Sequence, residues 1–110
     1  MSRQRNGSLI MTCGLLAQVS FAVTPIANPM QYAEQNSKSF AEGDANDNSG
    51  WQGCEYQPSG ADTIAIECRG SRQILIHGGE MVTGSFVCNY EFEAAAGGYA
   101  VLAEECVGGQ

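Results

Sequence analysis

Hydrophobic and polar residues alternate with a period of two through much of the second half of this 110-residue chain. The pattern is clearest in residues 85–93, where each even position holds an aromatic residue or cysteine and most odd positions are polar. Residues 62–68 repeat it, with Ile64, Ile66 and Cys68 on one face. This alternation is typical of a strand with one buried face and one solvated face.

Weaker strand patterns bring the predicted total to five strands, and they lie in residues 52–56, 72–77 and 99–106. Residues typical of turns separate the strands, at 58–60, 69–71, 77–80 and 94–98. Gly84 is predicted to mark a bulge in the fourth strand. Short strands joined by short turns predict an all-β fold, a small antiparallel meander or partly open barrel.

The first residues of the chain follow a different pattern. A short positive start precedes an apolar stretch from Leu9 to Val19, and small residues follow at Ser20 and Ala22. This layout predicts a secretory signal peptide over residues 1–22, with cleavage after Ala22. The apolar stretch is shorter than the roughly 20 residues that a membrane-spanning helix needs, so no stable membrane insertion is expected after cleavage.

Residues 23–50 are poor in large apolar side chains. From position 28 onward only Met30, Tyr32 and Phe40 are large and apolar. Such a segment buries too little surface to offset the entropy lost on ordering. We therefore expect a flexible acidic leader with at most a transient helical turn near residues 32–35, followed by a β domain over residues 51–110.

Four cysteines follow the predicted signal: Cys54, Cys68, Cys88 and Cys106. An even number in an exported chain predicts two disulfides and a secreted or periplasmic location. The last hairpin is predicted to turn near Gly97, which lies equally far from Cys88 and Cys106. This symmetry favours Cys54–Cys68 with Cys88–Cys106, although a crossed pairing stays open. Intervening stretches of 13, 19 and 17 residues are unlike the tight pairs of zinc ligands.

Removal of the signal leaves three basic and twelve acidic residues, a formal charge of −9. That charge argues against nucleic acid and anionic lipid as partners, and a protein partner is expected instead. Asp44, Asn46 and Asn48 space their oxygens as in a calcium loop, but Ser49 stands where such a loop needs glycine. His77 has no companion nucleophile. We expect no metal, no cofactor and no enzymatic activity.

Five side chains are candidates for contacting a partner: Trp51, Tyr56, Arg69, Arg72 and Tyr99. Trp and Tyr combine a large contact area with one polar group, and arginine can bind a carboxylate in two-point fashion. These features predict a secreted or periplasmic binding protein, in its sharpest form an inhibitor of an extracytoplasmic hydrolase. The alternative is a structural or adhesive cell-envelope component that binds polysaccharide or a surface protein.

Overall fold

The computed structural model describes residues 24–109. The predicted signal peptide lies outside this range. The described residues form a helix α1, a short 3-10 turn η1 and four strands β1 to β4. Their bounds are α1 Pro29–Glu42, η1 Gly43–Ala45, β1 Trp51–Gln57, β2 Thr63–Ile76, β3 Glu80–Ala95 and β4 Gly98–Gly108.

The strands pair in chain order as one antiparallel sheet, so the predicted meander is confirmed. β1 and β4 form its two edges, and the sheet is therefore open and does not close into a barrel. The fold is mostly β, with the single helix α1 packed against one face of the sheet.

Helix α1 begins at a well-formed cap. The Asn28 side chain accepts a hydrogen bond from the Gln31 N–H at 3.1 Å, and Pro29 occupies the first turn, where its missing N–H costs nothing. Ala33, Ser37 and Ala41 recur every fourth residue and are fully buried. These small side chains let the helix approach the sheet closely.

The helix corrects the prediction of a flexible leader over residues 23–50. The three large apolar residues of α1, Met30, Tyr32 and Phe40, all pack against the sheet. The Tyr32 ring stands edge-on to Phe92 with centroids 5.6 Å apart, and Phe40 meets Phe86 in the same manner at 5.0 Å. Few large apolar residues suffice to dock this helix, because the small side chains of Ala33, Ser37 and Ala41 allow close contact with the sheet.

The predicted turn at residues 69–71 is also wrong, and this is why there are four strands instead of five. Gly70 lies inside β2, paired with Trp51 on one side and Phe86 on the other. A Cβ at this position would lie 2.7 Å from the Gly50 carbonyl oxygen and 2.9 Å from the Trp51 Cα. The glycine is required by this close approach between strands.

Gly84 is not the site of a bulge, since it pairs with Arg72 without a shift in register. The register shifts lie between Trp51 and Gly53 and between Glu91 and Phe92. The core under α1 is formed by the helix-facing side chains of the two central strands: Ile66, Cys68, Phe86, Cys88, Tyr90 and Phe92.

The favoured disulfide pairing, Cys54–Cys68 and Cys88–Cys106, is confirmed. Each bond joins two residues that are directly opposite on neighbouring strands, with Cα separations of 4.0 and 3.9 Å respectively. Both bonds lie on the face of the sheet that α1 covers.

Candidate protein-binding surface

The face of the sheet away from α1 is acidic. Strand side chains alternate between faces, so the residues next to the cysteines point away from the helix. Three glutamates and one asparagine form a row across all four strands there: Glu55, Glu67, Asn89 and Glu105. Arg69 binds Glu67 at 2.9 Å in the single ion pair among residues 24–109. Most of the negative charge on this uncovered face is therefore without a basic partner in the described part of the chain.

Two shallow depressions open onto the uncovered face. One has a volume of about 310 Å³, and the other measures about 280 Å³. The first includes Gln57, Ala65 and Glu91, and the second includes Glu55, Glu67 and Arg69. A small-molecule site encloses most of its ligand. Open depressions of this kind suit a protein surface better than an enclosed small molecule.

Strands β2 and β3 continue beyond their neighbours as a two-stranded hairpin. Pairing with β1 ends at Gly70, and pairing with β4 ends at Phe86. We call residues 73–83, beyond these points, the arm. Leu75 and Met81 are direct partners in the arm and are 54% and 42% exposed. Ile76 beside them is 38% exposed, so apolar side chains are concentrated near the free end of the arm.

Contacts from η1 hold the arm in place. An Asp44 carboxylate oxygen accepts a hydrogen bond from the Leu75 N–H at 2.7 Å. Gly43 lies directly against the backbone of Gln73, where a Cβ would not fit. At the tip, Gly78 and Gly79 have φ values of 101° and 84°, which favour glycine in the tight turn. The arm is therefore shaped before any partner binds.

Two of the predicted contact residues make contacts within the fold. The Trp51 indole N–H donates to Ser37 Oγ at 2.7 Å, and Lys38 Nζ lies 4.5 Å from the centroid of the indole. Arg72 Nε donates to the Phe40 carbonyl oxygen at 2.8 Å, and its guanidinium lies 4.1 Å over the Phe40 ring. Both side chains fasten α1 to the sheet.

The other three predicted contact residues are not brought together. Tyr56 is 63% exposed on the edge strand β1. Tyr99 is partly buried, and its backbone pairs with Ile26. Arg69 alone lies on the uncovered face. The exposure of the arm residues is not visible in the sequence, because a run such as Ile74–Ile76 indicates a buried strand when the lengths of the neighbouring strands are unknown.

A groove on the opposite face runs between α1 and β4, with a volume of about 420 Å³, and it is lined in part by Asn36, Arg72, Tyr90 and Glu104. Burial raises the pKa of Tyr90 to about 12, and the nearby Glu104 charge and Tyr32 add to this effect. Burial also raises the pKa of Tyr32, whose hydroxyl donates to Glu104 at 3.0 Å. Both phenols are protonated at neutral pH and act there as hydrogen-bond donors or packing groups.

The residues considered for metal binding and catalysis lie apart. Asp44 binds the arm, and Asp47 accepts a hydrogen bond from the Ser49 N–H at 2.9 Å. His77 is exposed at the tip of the arm. Between residues 24 and 109, no three histidine, cysteine or acidic side chains are grouped so that they could hold a metal ion.

Comparison of the chain with protein-family models, with curated proteins and with solved structures finds no match. In the described range, 24–109, no helix has both the length and the apolar character needed to cross a membrane.

Proposed function

We propose that this chain is an exported, non-enzymatic binding protein whose arm enters an apolar cleft on a cationic protein partner. In the sharper form of the proposal, the partner is an extracytoplasmic hydrolase and the protein inhibits it. The observation that carries the proposal is the exposure of Leu75, Ile76 and Met81 on an arm held in a fixed shape. A hydrolase has a concave substrate cleft, which is the shape that a protruding hairpin complements.

The arm has the energetic properties of a binding element. Full burial of a side chain such as leucine or methionine contributes roughly 1.5–3 kcal/mol, and these residues are about half exposed, so each has part of that burial left to gain. The hydrogen bond from Leu75 to Asp44 already orders the arm in the free protein. A pre-organised element loses little entropy on binding, so more of the contact energy contributes to affinity.

The acidic uncovered face supports a partner of opposite charge. A surface of one sign steers an oppositely charged partner and raises the rate of association. The glutamate row lies on the same face as Leu75 and Met81, because all these positions share the same alternation along β2 and β3. A basic rim around an apolar cleft would therefore complement both the row and the arm.

The covalent structure supports an extracytoplasmic partner. Two disulfides within one small domain are typical of proteins outside the cytoplasm. They close the hairpins that carry the uncovered face. This fits the predicted signal peptide, which would deliver the protein to the compartment where such hydrolases act.

Binding to a panel of lysozymes and other secreted hydrolases tests the proposal. The oxidised protein, residues 23–110, would be immobilised and binding measured in 0.15 M salt, with hydrolase activity followed in parallel. The double variant Leu75→Ser/Met81→Ser should weaken binding at least about tenfold, because it removes the apolar contact. The matched control Leu102→Ser/Val107→Ser changes two exposed apolar residues outside the arm and should leave binding within about twofold.

Two outcomes would contradict the proposal. Absence of binding to every hydrolase at micromolar concentration would exclude the inhibitor form. Equal weakening by the arm variant and its control would exclude the arm as the contact. The alternative of polysaccharide binding through Trp51 has less support, since its indole N–H is bound to Ser37 and Lys38 covers its ring.

A further inference from the structure

The four cysteines occupy one row across the sheet. Cys54 is opposite Cys68, Cys68 is opposite Cys88, and Cys88 is opposite Cys106. The two disulfides join the outer pairs of this row. The inner pair, Cys68 and Cys88, is unbonded although its members are direct partners on the same face. The register therefore places the two disulfides side by side.

The inner pair is within reach of a disulfide. The bonded pairs have Cα separations of 4.0 and 3.9 Å, close to those of the narrow pairs of an antiparallel ladder. The N–H and C=O groups of a strand residue point toward the same neighbouring strand. Because Cys68 forms a narrow pair with Cys54 on β1, these groups point toward β3, and Cys68 and Cys88 form a wide, hydrogen-bonded pair. Wide pairs have Cα atoms about 5.5 Å apart. That separation lies inside the range that disulfides span.

We propose that the two disulfides exchange through a Cys68–Cys88 bond, so that reduction at one edge of the sheet releases a thiol at the other edge. The protein would in this way act as a thiol–disulfide relay toward a dithiol reductant. This activity is separate from binding through the arm.

The external step begins at an edge cysteine. A thiolate of the dithiol attacks Cys106 Sγ and forms a mixed disulfide, and the thiolate of Cys88 leaves. The second thiol of the reductant then displaces Cys106, so the reductant ends as a disulfide. Two electrons and two protons pass from the dithiol to Cys88 and Cys106.

The internal step conserves electrons. The Cys88 thiol gives up its proton, and its thiolate attacks Cys68 Sγ. The Cys54–Cys68 bond breaks, a Cys68–Cys88 bond forms, and Cys54 leaves as a thiolate that takes up a proton. Because β2 lies between β1 and β3, Cys88 approaches Cys68 from the side opposite Cys54. Displacement at sulfur requires the attacking atom to approach from the side opposite the leaving atom, and the strand order meets this requirement.

The inner and outer cysteines of the row differ in burial, so the external and internal steps take place at different cysteines. Cys68 and Cys88 have 0% exposure beneath α1, where Cys68 Sγ lies 3.7 Å from the Ala33 carbonyl oxygen. The outer cysteines are partly exposed. Cys106 also borders the 420 Å³ groove between α1 and β4. External thiols therefore reach the ends of the row, while the exchange in the middle is shielded from them.

The variant Cys106→Ala tests the internal step without a reductant. It leaves a Cys88 thiol beside an intact Cys54–Cys68 bond. After incubation at mildly alkaline pH, acid quenching and alkylation in denaturant, peptide mapping should find at least about one tenth of the label on Cys54. The rate should not depend on protein concentration. In the matched control Cys88→Ala, the free Cys106 lies two strands from Cys68, and the label should stay on Cys106.

Label found only on Cys88 in a folded Cys106→Ala protein would overturn the proposal. A Cys54–Cys88 bond would overturn it too, because that pairing spans two strands and arises only from an unfolded chain. Wild-type protein treated with limiting dithiol provides a second measurement that needs no variant. The forms that retain one disulfide should contain only bonds between cysteines on neighbouring strands: Cys54–Cys68, Cys68–Cys88 and Cys88–Cys106. Bonds between cysteines on more distant strands, formed in comparable yield, would contradict the relay.

Discussion

At the scale of single residues, burial of the Tyr90 side chain affects both packing and the pKa of its phenol. The side chain is 4% exposed, and its ring lies 6.1 Å from that of Tyr32, edge to face. Its hydroxyl is 4.0 Å from Cys106 Sγ, a weak contact. Ionisation would place a negative charge in a buried site near Glu104, so the pKa of Tyr90 is raised to about 12.

Stability should therefore fall in strongly alkaline solution. The pKa of Tyr90 is about 12 in the folded protein against 10.0 for the free side chain, so the folded state holds this proton more tightly. Its contribution, roughly 3 kcal/mol, is complete below pH 10 and is lost as pH rises toward 12. Urea unfolding at a series of pH values should show this loss in the wild type and less of it in Tyr90→Phe. If the free energy of unfolding falls equally with pH in the two proteins, Tyr90 is not the group responsible for the loss.

At the scale of elements, one buried serine contributes several of the contacts that attach α1 to the sheet. Ser37 Oγ donates to the Ala33 carbonyl oxygen at 2.7 Å and accepts the Trp51 indole N–H at the same distance. It also lies 3.5 Å from Cys54 Sγ. One hydroxyl thus connects the helix, the first strand and a disulfide.

Replacing Ser37 by alanine should lower the free energy of unfolding by about 1–3 kcal/mol, because the partly buried indole loses its acceptor. Urea titrations followed by the fluorescence of Trp51, the single tryptophan, would report this directly. Ser39→Ala is the matched control on the same helix. Ser39 is exposed, and its replacement should change stability by less than about 0.5 kcal/mol. Equal losses in the two variants would show that Ser37 has no special role.

At the scale of the whole molecule, the two disulfides have similar thermodynamic roles. They join residues separated by 14 and 18 positions, and each closes a hairpin of neighbouring strands. Loops of this size restrict the unfolded chain by similar amounts, about 3 kcal/mol each. Together they connect β1 to β2 and β3 to β4, while the β2–β3 ladder of 14 pairs joins the two halves without a covalent bond.

Removing either disulfide should therefore cost about 2–4 kcal/mol. The double variants Cys54→Ala/Cys68→Ala and Cys88→Ala/Cys106→Ala contain no free thiol among residues 24–109, so exchange cannot complicate their urea unfolding. We expect their losses to agree within about 1 kcal/mol, since the loops differ little in length. A loss more than twice as large in one variant would mean that the bond supports native packing beyond its effect on the unfolded chain.

The candidate surface was only partly predictable. Trp51 and Arg72 have the chemistry of interface residues, yet the helix uses both of them internally. The arm has an ordinary strand sequence, and its exposure follows from where β1 and β4 stop pairing with β2 and β3. No local pattern encodes where a neighbouring strand ends, and so a buried strand and a projecting one can have the same sequence signature.

The sequence by itself indicated most of the strand-forming segments and their antiparallel order, and it favoured the disulfide pairing without excluding a crossed one. Period-two alternation and turn residues act over a few positions. Cys88 and Cys106 are opposite because β4 has one extra residue at the register shift between Glu91 and Phe92, since Cys88 lies 7 residues before Ala95 and Cys106 lies 8 residues after its partner Gly98. Only the tertiary structure decided the docking of α1, the continuity of β2 through Gly70, the projecting arm and the row of cysteines. Each of these depends on the distance of closest approach between segments remote in sequence, which a local pattern does not specify.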